Sequence, residues 1–503
     1  MRKELVVVGA VTGAALLAAA VAVVMVVRDR KQRNERRRKR SLRSLRKFAR
    51  DCATPVPKLW SIAGDLASSL VYHDASHSSS DTDSPLRLVV SYAHPLPTGD
   101  ASKIEEKGWY YGVNLRGKAL LILSAQLRGK REPISHLNRD LVSVPSAIMA
   151  ATPQELCNFI ASTLSTFINR HGGYEKDSEQ HDEKRILGFT FTYPPDQREA
   201  SLSPNTAFKW KTFAFDDKEA KEMVEEMNKA LERHGLSMRV FSLVDDTVGD
   251  LASGRYYSDD AIAAINLGTG TNAAYVEQGK AVSSSYKSEE LVVNVDWGDF
   301  KSSHLPLTEY DECLDIESSN PGCRTFEKLI SGMYLGEIVR KVLLKMAQES
   351  SLFGAKVPPK LSCPNLLRPM DVAAMHQDTS EEREVIEDKL RDIFGIMEST
   401  PTARELVGEV CDIAAERGAR LAGAGIVGIM KKLNRIKDKK SVVLVQGGLY
   451  EHYRVYRNYV HSSVWEMLGN ELSDNVIIQP CHGGSGAGSL FLAATHESRM
   501  RHE

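Results

Sequence analysis

Hydrophobic and polar positions along the chain alternate in two ways, and together they predict a mixed α/β protein. Short apolar runs bounded by small or turn-forming residues predict β-strands. These runs are Trp109–Val113, Ala119–Leu127, Ile186–Thr192, Ile262–Val276 around a turn at 268–271, Leu291–Trp297 and Val442–Val445. Longer stretches with apolar residues three or four positions apart predict helices. They are Phe48–Leu70, Lys218–His234, Phe326–Met346, Ala403–Leu433 and Gly486–His496. Because glycine-rich turns follow several strands, we expect a functional site in a cleft at those strand ends.

The N-terminus carries a different pattern. Leu5–Val27 is an uncharged run of about 23 residues, which is long enough to cross a bilayer as one helix. Basic residues crowd residues 28–40 directly after it, and such a flank stays on the cytosolic side. We therefore expect a membrane anchor over 1–27, a basic juxtamembrane linker over 28–50 and a cytosolic body. The alternative is a cleaved secretory signal, which the length of the run and the arginine cluster disfavour.

Composition and charge narrow the class of protein. The chain has 503 residues, of which 42% are hydrophobic and 26% charged, as in ordinary globular proteins. The formal net charge of −1 gives the chain as a whole no basic character for nucleic acid. Its seven cysteines are scattered without metal-ligand spacing, which is typical of reduced thiols in the cytosol. We expect no metal site built from protein side chains.

Motifs between about Phe48 and His496 resemble those of plant hexokinases, in the same order. They are Cys52-Ala-Thr-Pro-Val56, Leu96-Pro-Thr-Gly99, Leu187-Gly-Phe-Thr-Phe-Thr-Tyr-Pro194, Asp246-Thr-Val-Gly249, Leu267-Gly-Thr-Gly-Thr-Asn-Ala-Ala-Tyr275, Ser302-Ser-His-Leu-Pro-Leu-Thr308, Asn320-Pro-Gly322, Phe326-Glu-Lys328, Ser331-Gly-Met-Tyr-Leu-Gly-Glu337, Arg417-Gly-Ala-Arg-Leu421 and Gly447-Gly-Leu449. The resemblance implies an α/β, two-lobed actin/sugar-kinase (ribonuclease H-like) clamp with an added N-terminal transmembrane helix. It places a small subdomain at 51–245, joined by a returning helix at 486–500, and a large subdomain at 246–485.

The same resemblance implies an activity, which is ATP-dependent phosphorylation of the 6-hydroxyl of glucose or fructose with Mg²⁺, the first step of glycolysis. The N-terminal anchor resembles that of the membrane-bound subtype of these enzymes, which implies the mitochondrial outer membrane. Motif-level membership does not by itself establish which site functions survive.

The resemblance assigns the general base to Asp246, whose Asp-Thr-Val-Gly context is intact. Residue 245 is Asp where the family has a sugar-binding Asn, so an acceptor replaces a group that both donates and accepts. Two adjacent carboxylates in one cleft raise each other's pKa. Sugar binding and base strength are therefore both expected to suffer.

The other predicted sugar ligands are a mixture of kept and changed residues. They are Thr192, Lys211, Thr212, Asn272, Asp296 and Glu327. Asn272 and Glu327 match the family, whereas Thr192 replaces Ser and the shorter Asp296 replaces Glu. Lys211 and Thr212 are transposed relative to the family's Trp-Thr-Lys-Gly.

The phosphate side departs most from the family. The first phosphate loop, Asp-Leu-Gly-Gly-Thr-Asn-Phe-Arg, is here Asn114-Leu-Arg-Gly-Lys-Ala-Leu-Leu121. Arg116 and Lys118 flank the remaining Gly117, and they are expected either to attract phosphate by charge or to be exposed cations at a hairpin tip. Glycines are needed there because backbone amides close on phosphate at dihedral angles that other residues resist. We therefore expect weak binding of ATP with Mg²⁺.

The second phosphate loop is intact, and the remaining nucleotide residues are assigned by the same resemblance. They are Gly268, Thr269, Gly270, Thr271, Thr379, Gly447 and Gly448. Gln446 and Gly483 each replace an Asp of the family.

Three functions remain open from the sequence. The first is an ATP-dependent hexokinase with impaired activity. The alternative is a non-catalytic, membrane-tethered sugar sensor or regulator that keeps the clamp; a scaffold that binds neither ligand well is a third, weaker reading. Losing one preorganised transition-state donor typically costs about a hundred- to thousandfold in rate, and several of them are changed here.

Overall fold

The computed structural model describes residues 25, 28, 32, 35–70, 86, 88–93, 96–97, 108–171, 185–192, 217–282, 290–437, 439–484 and 486–500. They form two compact units. The larger unit comprises residues 54–335 and 415–503, and the smaller comprises 1–53 and 336–414.

Eleven strands are described, and they form two sheets. They are β1 (Leu88–Tyr92), β2 (Gly108–Arg116), β3 (Ala119–Leu127), β4 (Ser135–Ser143), β5 (Arg185–Thr192), β6 (Met238–Asp245), β7 (Ala261–Leu267), β8 (Thr271–Gln278), β9 (Glu290–Val295), β10 (Ser441–Gln446) and β11 (Val476–Pro480). One sheet has the order β4-β3-β2-β5-β6 and the other has the order β1-β9-β8-β7-β10-β11. This architecture confirms the predicted α/β class.

The described α-helices follow the 35–51 helical segment in chain order. They are α1 (Val56–Ser69), α2 (Ser146–Met149), α3 (Pro153–His171), α4 (Lys218–Arg233), α5 (Asp246–Tyr257), α6 (Gly279–Val282), α7 (Glu309–Glu317), α8 (Thr325–Ile330), α9 (Gly332–Ser350), α10 (Pro369–His376), α11 (Glu384–Phe394), α12 (Pro401–Lys432), α13 (Gly448–His452), α14 (Arg454–Leu472) and α15 (Gly488–Met500). Short 3₁₀ turns include Trp297–Asp299, directly after β9.

Both faces of the five-stranded sheet are covered. Helices α3 and α4 pack on one face, while α15 packs on β2 and β5 from the other. Helix α5 lies against α15 and also against β7 of the six-stranded sheet, so these two helices are sandwiched between the sheets. Because β2, β5 and β6 are parallel, their carboxyl ends lie at one edge of their sheet.

The crossing of α5 and α15 depends on glycine. A Cβ on Gly488 would lie 2.2 Å from the carbonyl carbon of Gly249, closer than real Cβ contacts. The same approach brings Ser489 against the backbone of Gly112 and Gly188 in β2 and β5. Small residues at these points let the central helices reach the sheet, and α5 begins with the predicted base.

The smaller unit has its own buried polar contacts. The guanidinium of Arg340 donates to both carboxylate oxygens of Glu337 at 2.8–3.1 Å and to the carbonyl of Leu361 at 2.7 Å. Gly336 lies where a Cβ would meet the Leu367 carbonyl oxygen at 1.9 Å.

Two predicted helices are wrong as single elements. The one predicted over Phe48–Leu70 is broken at residues 53–55, where Pro55 is extended and α1 begins only at Val56. The one predicted over Phe326–Met346 is broken at Ser331, which is also extended. There the amide of Gly332 donates to the carbonyl of Gly268 at 2.9 Å rather than continuing α8.

The predicted anchor over Leu5–Val27 lies outside the described residues, apart from Met25. Among the helices that are described, none combines the length and apolar character that a membrane crossing requires.

Candidate functional site

The carboxyl ends of strands from both sheets converge on Asp246, the first residue of α5. Register pairs Asn114 of β2 with Thr190 of β5, and Arg116 with Thr192 two residues further on. Strand β6 ends at Asp245, so Asp246 follows at the same edge. The other sheet contributes Gln446, the last residue of β10.

The Asp246 carboxylate is buried and surrounded by donors. Its Oδ1 accepts a hydrogen bond from Asn114 Nδ2 at 2.8 Å. Its Oδ2 accepts from Thr192 Oγ1 at 3.0 Å and from Gln446 Nε2 at 3.1 Å. A guanidinium nitrogen of Arg116 lies 3.9 Å from the same oxygen. We call these four donors, Asn114, Arg116, Thr192 and Gln446, the Asp246 cage.

The cage orients its own members. Arg116 Nε donates to Asn114 Oδ1 at 2.7 Å, and this contact fixes the amide so that its Nδ2 faces Asp246 and Thr190. Asn114 therefore acts as a donor to the base, a role that an ionised aspartate at the same position does not have. The Gln446 side-chain oxygen is buried and has no hydrogen-bond partner in the described part of the chain.

Opposing effects act on the Asp246 pKa. Burial raises it, whereas the Arg116 charge and the hydrogen bonds from Gln446 and Thr192 lower it, and the net direction is upward. A raised pKa of Asp246 would by itself suit a general base. What distinguishes this carboxylate is that donors already occupy both of its oxygens.

Asp245 caps the helix that Asp246 begins. Its Oδ1 accepts from the backbone amide of Thr247 at 2.9 Å and from the Asn272 side chain at 3.0 Å. Burial and, to a lesser extent, the neighbouring Asp246 charge raise the pKa of Asp245 to about 6, against the lowering effect of the hydrogen bonds from Thr247 and Asn272. Asn272, a predicted sugar ligand, is therefore held beside the base by the residue that replaces the family's Asn.

A second acid of α5, Asp250, was missed by the sequence analysis. It lies one helical turn after Asp246, and that spacing was the signal that could have pointed to it. Burial and the charges of Asp246 and Asp245 raise the Asp250 pKa well above its usual value, while the Cys481 thiol acts weakly in the other direction. No regular hydrogen bond to either Asp250 oxygen is found among the described residues.

The second phosphate loop joins β7 to β8 and is fixed through its carbonyl groups. The carbonyls of Gly268 and Thr269 accept from the amides of Gly332 and Met333 at 2.9 Å. The Thr271 hydroxyl donates to the Asn266 carbonyl at 2.9 Å and accepts from the Trp297 indole at 2.8 Å. The loop from Gly268 to Thr271 is thus held in shape from outside, which suits a preformed phosphate cradle.

Gly447 packs against this loop, and Gly448 follows it as the first residue of α13. Gly447 has a φ of +102°, and a Cβ on it would lie 2.5 Å from the carbonyl carbon of Leu267 and 2.6 Å from the Gly268 nitrogen. The two glycine turns that the sequence placed 180 residues apart are therefore adjacent, and only glycine allows that approach.

The first phosphate loop has become an ordinary hairpin turn with one inward cation. Gly117 has a φ of +52°, and Lys118 is exposed at the tip, where its carbonyl accepts from the Val144 amide at 2.8 Å. Arg116 is instead directed towards Asn114 and Asp246. Arg116 and Lys118, which were considered together from the sequence, therefore lie in different places: Arg116 is directed inward and Lys118 is exposed.

Three predicted residues are not among the contacts described above. Lys211 and Thr212 lie outside the described residues. Thr379 belongs to the smaller unit, where it is exposed between Asp378 and Ser380, and the Asp378 carboxylate accepts from the Ser380 amide at 3.0 Å.

The predicted sugar carboxylates Asp296 and Glu327 share a cation that the sequence analysis missed. Arg324 NH1 donates to both Asp296 oxygens at 3.0 and 3.2 Å, and its Nε donates to Glu327 Oε2. The other Glu327 oxygen accepts from the Thr271 amide at 3.1 Å. Burial raises the pKa of Glu327 and the Arg324 charge opposes that rise. The signal in the sequence was an arginine three positions before a predicted sugar ligand.

ATP and Mg²⁺ fit these residues unequally. The preformed loop at 268–271 and the adjacent Gly447 suit the phosphates of a nucleotide. Mg²⁺ in phosphoryl-transfer sites is usually held by phosphates together with one or two carboxylates. Around Asp246, however, the neighbouring positions are the amides Asn114 and Gln446, and no group of His, Cys, Asp or Glu suited to a metal ion occurs in the described residues.

Two α/β lobes meeting at strand ends, with an aspartate at the start of a central helix and a glycine loop beside it, define a sugar kinase of the two-lobed class. The comparisons with known proteins give the family. The hexokinase family is matched in two parts, at residues 44–256 and 262–495. The chain therefore belongs to the hexokinase family.

Known hexokinases align with this chain over nearly its whole length. The chain is 43% identical to hexokinase-1 of Spinacia oleracea over 463 residues, which covers 90% of each protein. It is 44% identical to hexokinase-1 of Arabidopsis thaliana, with 89% of this chain and 90% of that protein covered.

Solved structures show the same fold. A hexokinase from Schistosoma mansoni complexed with glucose aligns with a TM-score of 0.72 and 26% identity, covering 90% of this chain and 99% of that one. Another hexokinase crystal structure aligns with a TM-score of 0.74 over 91% of this chain and all of the other, at 24% identity. These likenesses confirm the predicted two-lobed sugar-kinase fold.

Proposed function

We propose that this chain is a hexokinase-family protein whose phosphotransfer from ATP to the 6-hydroxyl of glucose or fructose is strongly reduced. The observation that carries the proposal is the Asp246 cage. A general base must offer a free lone pair to the hydroxyl proton at hydrogen-bond distance. Here three hydrogen bonds and a nearby guanidinium already engage the two oxygens of Asp246.

The cage acts through geometry and through charge. Asp246 Oδ1 already accepts one of these hydrogen bonds and Oδ2 accepts two, so a hexose hydroxyl competes with Asn114, Thr192 and Gln446 for the lone pairs of the carboxylate. Once the proton is transferred, each of these donors loses an ionised acceptor, so the cage favours the state before the reaction. Catalysis requires groups that bind the transition state more strongly than the ground state, and the cage does the reverse.

The glucose bound to the Schistosoma mansoni hexokinase supports hexose as the ligand class of this site. Of the predicted sugar ligands, Asn272, Asp296 and Glu327 lie in the same unit as Asp246. ATP is proposed to bind weakly at the loop over 268–271 with Gly447 and Gly448, since the first phosphate loop offers one glycine and an inward arginine.

The second candidate is a non-catalytic sugar sensor. The cage favours this reading, because it removes the base from chemistry and leaves the rest of the fold intact. In either case we infer that residues 1–27 anchor the chain in a membrane, with the body in the cytosol at the mitochondrial outer membrane. The support is the uncharged run over Leu5–Val27 and the basic run after it.

The test of phosphotransfer is hexose-dependent ADP release by the full chain in detergent, with millimolar glucose or fructose and Mg-ATP. Wild type is expected well below the ~1–10³ s⁻¹ that enzymes usually reach. The triple variant Asn114→Asp, Arg116→Gly, Gln446→Asp removes three cage members. Its turnover number is expected to be at least about tenfold higher than that of wild type, because a single preorganised donor typically changes the rate by more than that.

Asp246→Ala in the wild-type and triple backgrounds is the control, and it should abolish any gain. Wild-type turnover in the ordinary range that Asp246→Ala abolishes would refute the proposal. A triple variant that folds, binds hexose and shows no turnover would favour the sensor.

A further inference from the structure

Three carboxylates surround one buried arginine where β9 passes into the 3₁₀ turn Trp297–Asp299. Arg324 NH1 lies 3.0 Å from Asp296 Oδ1 and 4.0 Å from Asp299 Oδ2, and its Nε contacts Glu327 Oε2. The Arg324 side chain is 6% exposed and that of Glu327 is 2% exposed, whereas Asp296 is 27% exposed. Arg324 and Glu327 are therefore both buried, whereas Asp296 is partly exposed.

The backbone holds Arg324 in this position. Its φ of +54° and ψ of +40° are left-handed, a conformation that is costly for a residue with a Cβ. Its amide donates to Asp299 Oδ1 at 2.7 Å, which fixes the turn before α8. Gly298 leaves the space for the guanidinium, since a Cβ there would lie 2.7 Å from Arg324 NH2. The carbonyl of Arg324 accepts from the amide of Lys328 at 3.0 Å, and a costly backbone that is held at both its amide and its carbonyl indicates a specific role for the side chain.

We propose that Arg324 lowers the affinity for hexose by competing with the sugar for the carboxylates of Asp296 and Glu327. This inference rests on the proposed function, because it takes these two residues as hexose ligands. An ionised carboxylate only accepts hydrogen bonds, and a sugar hydroxyl would donate to it. A guanidinium forms stronger, charge-assisted hydrogen bonds with the same oxygens. The guanidinium therefore competes with hexose hydroxyls for the lone pairs of these carboxylate oxygens.

The opposite role has the opposite consequence. If Arg324 merely positioned the two carboxylates for sugar, its removal would weaken hexose binding. The sign of the change in glucose affinity on removing the charge therefore separates a competitor from a positioning residue.

The experiment is isothermal titration of the full chain in detergent with glucose in the absence of nucleotide. Arg324→Gln keeps a side chain of similar length and removes the charge, and it is expected to bind glucose at least about tenfold more tightly than wild type. Glucose affinity that is unchanged or weaker in folded Arg324→Gln would overturn the proposal. Arg340→Gln is the matched control, because Arg340 forms a buried pair with Glu337 at the same three-residue spacing but in the smaller unit. This control should leave glucose affinity unchanged.

Loss of a buried cation destabilises a protein, so a second variant keeps the test decisive. Arg324→Lys retains the charge, but its single ammonium lacks the planar fork that bridges two carboxylates. We expect a smaller gain, of at least about threefold. A folded lysine variant with wild-type affinity would count against the proposal in the same way.

The same proteins separate this inference from the proposed function. Glucose binding is measured without ATP, whereas phosphotransfer is measured as ADP release. Fast wild-type turnover would refute the proposed function and leave the effect of Arg324 on binding to be decided by the titrations. Tighter glucose binding by Arg324→Gln without a gain in turnover would support both.

Discussion

The side-chain amide of Gln446 donates a hydrogen bond of 3.1 Å to Oδ2 of Asp246 and thereby connects the ends of two different sheets. Gln446 ends β10 of the six-stranded sheet, and Asp246 follows β6 of the five-stranded sheet. An aspartate at position 446 would place two acids side by side and repel. Glutamine avoids that repulsion because its amide donates a hydrogen bond. This bond stabilises the ionised Asp246 carboxylate and occupies one lone pair of Oδ2.

The raised pKa of Asp245 gives stability a defined pH dependence. A carboxyl whose pKa is about 6 in the folded state and about 3.9 unfolded holds its proton more tightly when folded, so stability falls as pH rises from ~4 to ~6. Asp245→Asn keeps a capping side chain and removes this titration. We expect the variant to be more stable than wild type by about 1–3 kcal/mol at pH 7 and about equal at pH 4. Thermal melting across that range measures it, and an equal difference at both pH values would contradict it.

Asp250 is expected to behave in the same direction, because burial raises its pKa and its carboxyl has no regular hydrogen bond in the described part of the chain. Its raised pKa means that ionisation costs stability as pH increases above ~4. Asp250→Asn should therefore raise the melting temperature more at pH 8 than at pH 5. Asp259→Asn is the control, because Asp259 is exposed and paired with a surface lysine. This substitution should change the free energy of unfolding by no more than about 0.5 kcal/mol. A melting temperature that is lower in Asp250→Asn at pH 8 would show that the carboxylate is favourable there.

Arg417 and Asp311 form a buried ion pair whose loss should be severe. Arg417 is 1% exposed and donates to the two Asp311 oxygens at 2.6 and 2.9 Å, while Asp311 also caps α7 with Thr308. Removing one partner of a buried pair typically costs about 3–5 kcal/mol. Arg417→Met should lower stability by that order at pH 7, as measured by chemical denaturation.

The pH dependence of this pair has the opposite sign to that of Asp245. The pairing with Arg417 helps to hold the pKa of Asp311 below its usual value against burial. The pair's contribution is therefore present above about pH 4 and is lost as pH falls through the folded pKa. The destabilisation by Arg417→Met should shrink at low pH, and a constant penalty would argue that lost packing alone explains it.

The crossing of α5 and α15 predicts a contrast between two glycines. Gly488→Ala puts a Cβ 2.2 Å from the Gly249 carbonyl carbon, so the helices must separate at a typical cost of about 1–3 kcal/mol or more. Gly448→Ala places its Cβ no closer than 4.0 Å to the His452 ring, and its effect on melting should be small. Similar melting temperatures for the two variants would contradict the close approach.

Much of the fold follows from local pattern. The apolar runs that became β2, β3, β5, β7 and β10 were recognisable because strand length and flanking glycines are local properties. The base also followed from the sequence, since Asp246 stands at the end of a buried run inside an intact motif. The two long helices that the periodicity joined are broken because Pro55 and Ser331 are extended, and the second break gives amides to the Gly268 loop.

The sequence by itself determined the α/β class, the glycine turns and the replacement of Asp by amides at 114 and 446. Only the tertiary structure decided what these replacements do. Residues 114 and 116 of β2 are far from 192 and 446 in the chain, and the meeting of these side chains on Asp246 depends on parallel register and on the packing of the two sheets. The role of Arg324 could not be predicted from sequence periodicity either. It depends on a left-handed backbone conformation that directs the side chain towards Asp296 and Glu327. Hydrogen-bond direction is a property of three-dimensional placement, and residue identity supplies only the donors and acceptors.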